Sequence, residues 1–298
     1  MDNNLHRTNN FLILVLGAAL IGFAPIFVKW SMLSSSAITF YRMLLTIPFL
    51  FFFNILLNNK FLFYVKNRST IFYTAFASFA FTIDLTLWHF SMDITSVSNA
   101  TIIVNSAPIF VAIFSFILLK ERISRGFLSS FVITYIGIIG LIYYSNNYIN
   151  GKILGDILCV FAAFFYGVYL FVISRLGKED SLSIIFYTTF FCCVFSFPLM
   201  LIEGGKTFPE TDFEWLNIFL LATLCQLGGQ YFITHGITKI SASDGSIGLL
   251  MQPLTATFLA SFLFSELLNV IQVIFALITL FGIYLARVNL ASNQQKQS

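Results

Sequence analysis

Two stretches of the chain share one pattern: NSAPIFVAIFSFILLKER at residues 105–122 and MQPLTATFLASFLFSEL at residues 251–267. In each stretch a proline precedes a glutamate by thirteen residues, Pro108 and Glu121 in the first, Pro253 and Glu266 in the second. A proline removes a helical hydrogen bond, and a carboxylate is costly in lipid. The recurrence of both residues at one spacing therefore indicates a duplication of the chain.

The duplication extends well beyond these two stretches. A shift of 145 residues superposes the two prolines and the two glutamates. The same shift aligns five further pairs: Gly22 with Gly167, Ser96 with Ser241, Ser98 with Ser243, Thr134 with Thr279, and Gly137 with Gly282. We therefore predict two repeats, at residues 11–145 and 153–289.

The composition places both repeats in a membrane. Hydrophobic residues make up 58% of the 298 residues, charged residues only 10%, and the mean hydropathy is +0.88. A water-soluble domain carries roughly a quarter of its residues as charges. Because a helix needs about 20 apolar residues to cross the hydrocarbon, we predict an all-α integral membrane protein with ten transmembrane helices, which begin near residues 11, 37, 70, 98, 126, 153, 182, 214, 244 and 270.

The distribution of basic residues predicts how these helices are oriented. With a cytoplasmic N-terminus, twelve basic residues fall inside and three outside, in accordance with the positive-inside rule. The inner ones are Arg7, Lys60, Lys66, Arg68, Lys120, Arg122, Arg125, Arg175, Lys178, Lys239, Arg287 and Lys296, and the outer ones are Lys29, Lys152 and Lys206. Both termini are thus predicted to be cytoplasmic. Since five helices is an odd number, the second repeat enters the membrane inverted, as in alternating-access transporters.

The matched prolines and glutamates allow more than one interpretation. Pro108 and Pro253 are expected to bend their helices and to help line a cavity, although a kink is also tolerated in a packed transmembrane helix. Glu121 and Glu266 lie at the aqueous ends of their spans. Interface carboxylates that cap or anchor a helix explain these two residues better than a substrate site does.

The chain resembles a known family. The segments TSVSNATIIVNSAPIFVAIFSFILLKERISRGFLSSFVITYIGIIGL, SAITFYRMLLTIPFL and SASDGSIGLLMQPLTATFLASFLFSELLNVIQVIFALITLFGIYLA are similar to the EamA-type transporters of the drug/metabolite transporter superfamily. The resemblance implies a ten-helix bundle around a central cavity, with the fifth helix of each half at the periphery. It also implies transport of amino acids, nucleotide-like metabolites or other small solutes, often outwards.

Polar residues within the spans are candidates for substrate binding or gating, because an ionisable group in lipid is expensive. Asp84 and Trp88 are four residues apart and share a helical face, with His89 beside it. Asp84 is expected either to bind a substrate ammonium or a proton, or to pair with Arg42 or Lys29 and hold helices together. Lys29 can alternatively snorkel to the interface.

In the second half, Gln226, Gln230 and Tyr166 form a possible neutral polar wall. Ordinary interhelical hydrogen bonding is the alternative explanation for these three residues.

These features predict a secondary transporter of a small metabolite, an amino acid or a related polar or amphipathic solute, with export the expected direction. It would reside in the inner membrane of a bacterium and use no cofactor and no metal, with the proton a possible coupling ion. Import of S-adenosylmethionine or a similar charged metabolite is the alternative within transport. An integral membrane enzyme or a scaffold is disfavoured, because no H-E-x-x-H or G-x-S-x-G motif occurs and the histidines, His6, His89 and His235, are scattered. No nucleic-acid partner is expected, and the oligomeric state is left open.

Overall fold

The computed structural model describes residues 2–58, 68–120, 125–144, 152–176, 181–237, 249, 251–265 and 268–295, and every regular element in these ranges is helical. The first half contains seven helices: α1 (Asp2–Gly22), α2 (Ala24–Trp30), α3 (Ser35–Asn58), α4 (Arg68–Ile94), α5 (Val97–Val104), α6 (Ala107–Leu119) and α7 (Arg125–Tyr143). The second half contains α8 (Lys152–Ser174), α9 (Ser181–Glu203), α10 (Asp212–Leu220), a π-helix (Leu221–Gly229), α11 (Gln230–Ile237), α12 (Met251–Phe264) and α13 (Val270–Gln295).

Among the described residues, seven helical segments are long and apolar enough to cross a membrane. They are Asn9–Trp30, Ser35–Leu56, Arg68–Ile94, Val97–Leu118, Ile153–Ile173, Leu182–Glu203 and Asp212–Ile233. Three shorter apolar helices, Leu128–Gly140, Met251–Phe264 and Val270–Leu285, accompany them. The prediction of a multi-pass helical membrane protein is confirmed, and the number of ten spans stays a prediction.

The two matched prolines lie near helix starts. Pro108 is the second residue of α6, which begins after a turn at Asn105 and Ser106 that interrupts the apolar run. Pro253 is the third residue of α12 and is buried. Proline is well tolerated in a first helical turn, where its missing N–H has no intrahelical partner in any case. At Pro108 the chain therefore breaks into two shorter helices instead of bending smoothly.

The C-terminal ends of α6 and α12 have the same backbone conformation. Lys120 and Ser265, which are 145 positions apart, both adopt a left-handed conformation, with φ of 55° and 53°. Non-glycine residues rarely adopt this conformation, so its occurrence at matched positions shows that the two helices end in the same way. The glutamates that follow, Glu121 and Glu266, lie outside the described residues, as do Ser241 and Ser243.

The glycines of the repeat pack reciprocally between the halves. Gly137 of α7 packs against Thr279 of α13, and Gly282 of α13 packs against Thr134 of α7. A methyl group at either glycine would overlap the facing threonine, so these positions permit the close helix approach that small residues provide in membranes.

Gly22 and Gly167 pack in the same reciprocal way. Gly22 of α1 lies against Gln252 and Thr255 of α12, whereas Gly167 of α8 lies against Ala107 and Phe110 of α6. The contacting residues are again 145 positions apart. This exchange of equivalent contacts is the signature of a pseudo-twofold relation between the halves.

Hydrogen bonds at one end of the bundle establish the directions of the helices. The Glu203 carboxylate, at the end of α9, accepts from the backbone N–H of Ser35 at the start of α3, at 3.0 Å. The Asn99 side-chain amide of α5 donates to Asp156 in the first turns of α8, at 3.2 Å. Thus α8 begins at the end of the bundle where α2 ends and α3 begins, and the halves run in opposite directions. We call this the Glu203 end and the opposite one the Arg68 end.

The bundle interior is built from small and apolar residues of both halves. Met43, Phe81, Cys159, Cys192 and Ile218 belong to one buried cluster. The four cysteines are all buried and free, as their position within apolar runs predicts. Many large apolar side chains face outwards instead, among them Phe72, Phe258, Phe262 and Ile202. Such an apolar exterior suits contact with lipid.

Candidate substrate-binding cavity

A central cavity of about 310 Å³ lies between the two halves. Its described lining comes from α1 to α5 of the first half and from α8, α11 and α12 of the second, together with Leu249. Five of the predicted site residues line it: Arg42, Asp84, Trp88, Tyr166 and Gln230. Its volume falls at the lower end of the range typical of sites for small ligands, about 300–1,000 Å³.

Arg42 brings a positive charge to the wall of this cavity. It lies seven residues into α3, about 10 Å from the Glu203 end along the helix. Its side chain is only 4% exposed, and its Nε donates to the Oε1 atom of Gln226 at 2.9 Å. Its Nη1 is buried and has no hydrogen-bond partner among the described residues. A buried guanidinium with an unused N–H group can receive an anionic group of a ligand.

Asp84 brings a negative charge to the same wall. Its side chain is also 4% exposed, and its carboxylate accepts no hydrogen bond from the residues that the structure describes. It interacts with Arg42 electrostatically, but within the described chain the two do not approach to the 4.0 Å of an ion pair. The sequence allowed an ion pair of Asp84 with Arg42 or with Lys29, and the pair with Arg42 is not formed in this conformation.

Aromatic rings complete the wall next to the aspartate. Trp88 lies one turn after Asp84 on α4 and lines the cavity, and Tyr166 of α8 lines it as well. The Tyr166 ring stacks on Phe81, with centroids 6.0 Å apart, and on Tyr169, also at 6.0 Å. Aromatic faces beside a carboxylate provide a favourable environment for a cationic group.

Lys29 and His89 take other positions. The Lys29 ammonium donates to the Met92 carbonyl at the Glu203 end, where Asp93 is near enough to interact with it electrostatically. His89 is buried, and its Nδ1 lies 3.0 Å from the Thr39 hydroxyl and 3.2 Å from the Ser35 carbonyl. Neither residue is among the described residues that line the cavity. Their contacts link α4 to α2 and α3.

The two predicted glutamines have different roles. Gln226 is buried in the π-helix, where it accepts the hydrogen bond from Arg42, and Gln230 lines the central cavity. Thr46 of α3 also donates to the Ala222 carbonyl of the π-helix at 3.3 Å. π-Helical turns are rare and are frequently found at functional sites. The sequence offered only a weak signal for this one, the glycine pair at residues 228–229.

Sequence reasoning missed a polar network at the Glu203 end. Glu203 also accepts from the Ser36 N–H at 2.7 Å, and Glu214 accepts from the Ser31 hydroxyl and from the Met32 N–H at 3.3 Å. Both glutamates belong to the second half and bind the α2–α3 connection of the first half. The acidic composition of residues 203–214 was visible in the sequence, but the partners lie more than 160 positions away.

Metal ligation has no obvious site in this part of the molecule. The described residues contain no group of three or more histidine, cysteine, aspartate or glutamate side chains close enough to hold a metal ion. Polar groups face the central cavity as isolated charges and amides, an arrangement suited to binding a small organic solute.

The fold and the cavity together define the class of protein: a multi-pass helical membrane protein made of two similar halves around a central cavity whose largely apolar wall carries two opposite charges, Arg42 and Asp84. The sequence profile of the EamA-like transporter family matches residues 9–143 and 153–288. The chain therefore belongs to the EamA-like transporter family. Members of this family are membrane proteins that transport small-molecule solutes.

Individual relatives agree with this assignment. An uncharacterized transporter of Archaeoglobus fulgidus is 24% identical over 64% of this chain and 67% of its own length. Human solute carrier family 35 member G1 is 26% identical over 51% of this chain and 44% of its own length. The pseudopaline exporter CntI of Pseudomonas aeruginosa is 26% identical over 49% of this chain and 50% of its own length. Their names point to transporters and not to enzymes.

A solved crystal structure shares the fold. It superposes with a TM-score of 0.66 over 96% of this chain and 99% of its own, at 14% sequence identity.

Proposed function

We propose that the protein is a secondary transporter that moves a small zwitterionic metabolite, an amino acid or a close relative, by alternating access. The observation that carries this proposal is the pair of opposite charges, Arg42 and Asp84, which line one central cavity without forming an ion pair within the described residues.

Buried charges are costly unless they are paired. Among the described residues, one N–H group of Arg42 and the carboxylate of Asp84 find no hydrogen-bond partner. A zwitterion supplies both missing partners, with its carboxylate on Arg42 and its ammonium on Asp84 next to the faces of Trp88 and Tyr166. A singly charged solute satisfies only one of the two groups. The central cavity therefore favours solutes with two opposite charges.

The repeat supports alternating access. The halves exchange equivalent contacts and run in opposite directions, so that exchanging their conformations converts an inward-open cavity into an outward-open one. In our proposal ten spans, in inverted repeats at residues 11–145 and 153–289, cross the inner membrane of a bacterium with both termini in the cytoplasm. The Glu203 end then faces outwards, and the Arg68 end faces the cytoplasm. Accessibility of single cysteines introduced at the two ends to a membrane-impermeant reagent tests this orientation.

Several roles follow for the predicted residues. Arg42, Asp84, Trp88, Tyr166 and Gln230 contact the solute in the central cavity. Gln226 orients Arg42 through its hydrogen bond to Nε.

The remaining predicted residues act on conformation. Lys29 and His89 hold the Glu203 end together through α4, and the helix starts at Pro108 and Pro253 allow the halves to move. A proton is a possible coupling ion, with Asp84 as its carrier.

Export is the proposed direction, which the relative named as a pseudopaline exporter supports. Import of S-adenosylmethionine is the second candidate, because this metabolite also carries a carboxylate and cationic groups that suit a carboxylate flanked by aromatic rings.

Uptake and counterflow in proteoliposomes test the function. The purified protein is reconstituted and offered labelled amino acids, S-adenosylmethionine and nucleotides, with and without a pH gradient. We expect saturable exchange of zwitterions and none of nucleotides. Stimulation by an imposed pH gradient supports proton coupling. If folded protein exchanges no solute of the panel, or exchanges nucleotides instead, the proposal is wrong.

A further inference from the structure

A second cavity lies beside the central one. It has a volume of about 140 Å³ and is lined by residues of α8, α9, the π-helix and α11. Its walls contain three isoleucines, the threonines Thr188 and Thr189, Tyr169, and the glutamines Gln226 and Gln230. None of these described lining residues is charged. We call this cavity the inner pocket.

The inner pocket lies towards the Arg68 end. Thr188 is seven residues from the start of α9, about 10 Å along that helix from the Arg68 end. Arg42 is about as far from the Glu203 end along α3. The central cavity and the inner pocket thus lie at different depths along the helices, with the inner pocket nearer the Arg68 end.

A thin layer of side chains separates the two cavities. Gln230 lines both of them. Gln226 lines the inner pocket and binds the Arg42 guanidinium of the central cavity. The parallel rings of Tyr166 and Tyr169 stack at 6.0 Å, one on each side of the layer. The inner pocket therefore begins about one side chain away from the guanidinium.

The two threonines of the inner pocket differ from several helical threonines of this protein, although the Thr86 hydroxyl of α4 is also buried without a partner among the described residues. Thr74, Thr101 and Thr134, for example, each donate to the carbonyl four residues earlier, at 2.8 Å. The hydroxyls of Thr188 and Thr189 are buried and have no hydrogen-bond partner among the described residues. The Tyr169 phenol lies close enough to Thr188 to interact with it, whereas Thr189 has no such neighbour among the described residues.

Unsatisfied buried hydroxyls are costly and therefore uncommon. Two adjacent ones in the wall of a pocket indicate that the partner is a ligand. The described lining residues include no charged side chain but do include isoleucines. They therefore suit an uncharged ligand group that forms hydrogen bonds and packs against isoleucine.

We propose that the inner pocket is a second subsite, which receives the uncharged hydrogen-bonding tail of the solute, such as a carboxamide or a hydroxyl on a short aliphatic stem. This proposal rests on the proposed function, in which Arg42 and Asp84 hold the charged groups of the same solute. Gln226 and Gln230 separate the two subsites, and the tail passes between their side chains when the solute binds. The transporter then selects zwitterions by tail chemistry as well as by charge.

The test compares two amino acids of the same shape. Glutamine carries a carboxamide, and 2-amino-5-methylhexanoate carries an isopropyl group in its place. Their binding to the full-length protein in detergent is measured by titration calorimetry for the wild type, for the double variant Thr188→Val and Thr189→Val, and for the control Thr188→Ser and Thr189→Ser.

We expect the wild type to bind glutamine about tenfold more tightly than its apolar analogue, as one net hydrogen bond predicts. The valine variant should lose or reverse this preference, whereas the serine control should keep it. Equal affinities in the wild type, a preference that the valine variant retains, or binding of neither amino acid to folded wild type would each contradict the subsite.

Thermal unfolding without ligand provides a second readout. Replacing an unsatisfied hydroxyl by a methyl group of the same size should leave Tm unchanged or raise it, because no protein hydrogen bond is lost. The matched change Thr74→Val, which removes a hydrogen bond to the Thr70 carbonyl, should lower Tm. A fall in Tm for Thr189→Val equal to that for Thr74→Val would assign Thr189 a structural role and overturn the proposal.

The two proposals fail separately. Discrimination in binding without counterflow of any amino acid leaves the subsite in place and removes the transport function. Counterflow of glutamine and its analogue with equal efficiency leaves the transport function and removes the subsite.

Discussion

Replacing Asp84 by asparagine gives the sharpest test of the charge pattern in the central cavity. The substitution keeps the shape of the side chain and removes its negative charge. A hydrogen bond to a charged group contributes about 1.5–3 kcal/mol. If the solute ammonium binds Asp84, the variant should bind amino acids about 10- to 150-fold more weakly.

The effect on stability separates binding from a structural ion pair. Breaking a buried salt bridge by removing one partner costs about 3–5 kcal/mol. Since Asp84 accepts no hydrogen bond from the described residues and lies outside ion-pair distance of Arg42, we expect a much smaller loss. The free energy of unfolding of the variant should therefore stay close to that of the wild type.

Radioligand binding and chemical unfolding in the same detergent measure both quantities. Asp93→Asn is the matched control, because Asp93 lies on the same helix but is exposed at the Glu203 end. The control should bind amino acids normally. Normal binding by Asp84→Asn would refute a cavity role for the carboxylate, and a loss of stability of about 3–5 kcal/mol would restore the ion-pair interpretation.

Three further predictions concern the cavity, the Glu203 end and the interface between the repeats. Arg42→Lys should keep the positive charge but lose the Nε hydrogen bond to Gln226 and the planar geometry of the guanidinium. Amino acids should therefore bind about tenfold more weakly in equilibrium binding. Unchanged affinity would contradict the role of the guanidinium. Glu203→Gln should keep only one of the two oxygen acceptors for the N–H groups of Ser35 and Ser36, and it should destabilise the protein by about 1 kcal/mol in chemical unfolding. Glu210→Gln, in an exposed pair with Lys206, should have little effect, and equal effects would be inconsistent with the capping role of Glu203. Gly137→Ala and Gly282→Ala should each destabilise the protein by about 1–3 kcal/mol through overlap with the facing threonine, and the absence of a loss from both would contradict the reciprocal packing.

The global organisation was accessible from the sequence because it depends on local composition and on a repeat. Apolar runs of the required length predict membrane helices wherever they occur. The offset of 145 residues predicted the pairs that the structure brings into equivalent environments, such as Gly137 with Gly282. It also paired Glu121 with Glu266, each directly after a matched helix end at Lys120 or Ser265, although the left-handed conformation of these two residues could not be read from the sequence.

The composition of the cavity depended on tertiary contacts. Asp84 and Trp88 share a helical face, which the sequence shows, but that this face meets Arg42 and Tyr166 follows only from the packing of α4 against α3 and α8. The same packing leaves Lys29 and His89 away from the described cavity lining. Charge and burial in lipid mark a residue as unusual, and they do not say which neighbour it will meet.

The sequence by itself determined that this protein is helical, that it crosses a membrane and that it consists of two related halves. Hydropathy is a property of a stretch as long as one helix, and the repeat is a constant offset along the chain. Both can therefore be read directly from the linear sequence. The tertiary structure alone decided that Arg42 binds Gln226 from the other half, that Glu203 caps α3, and that two threonines of α9 face a pocket. These contacts join residues that are far apart in the chain, or they depend on which face of an apolar helix points inwards. Both are decided only by how the helices pack together.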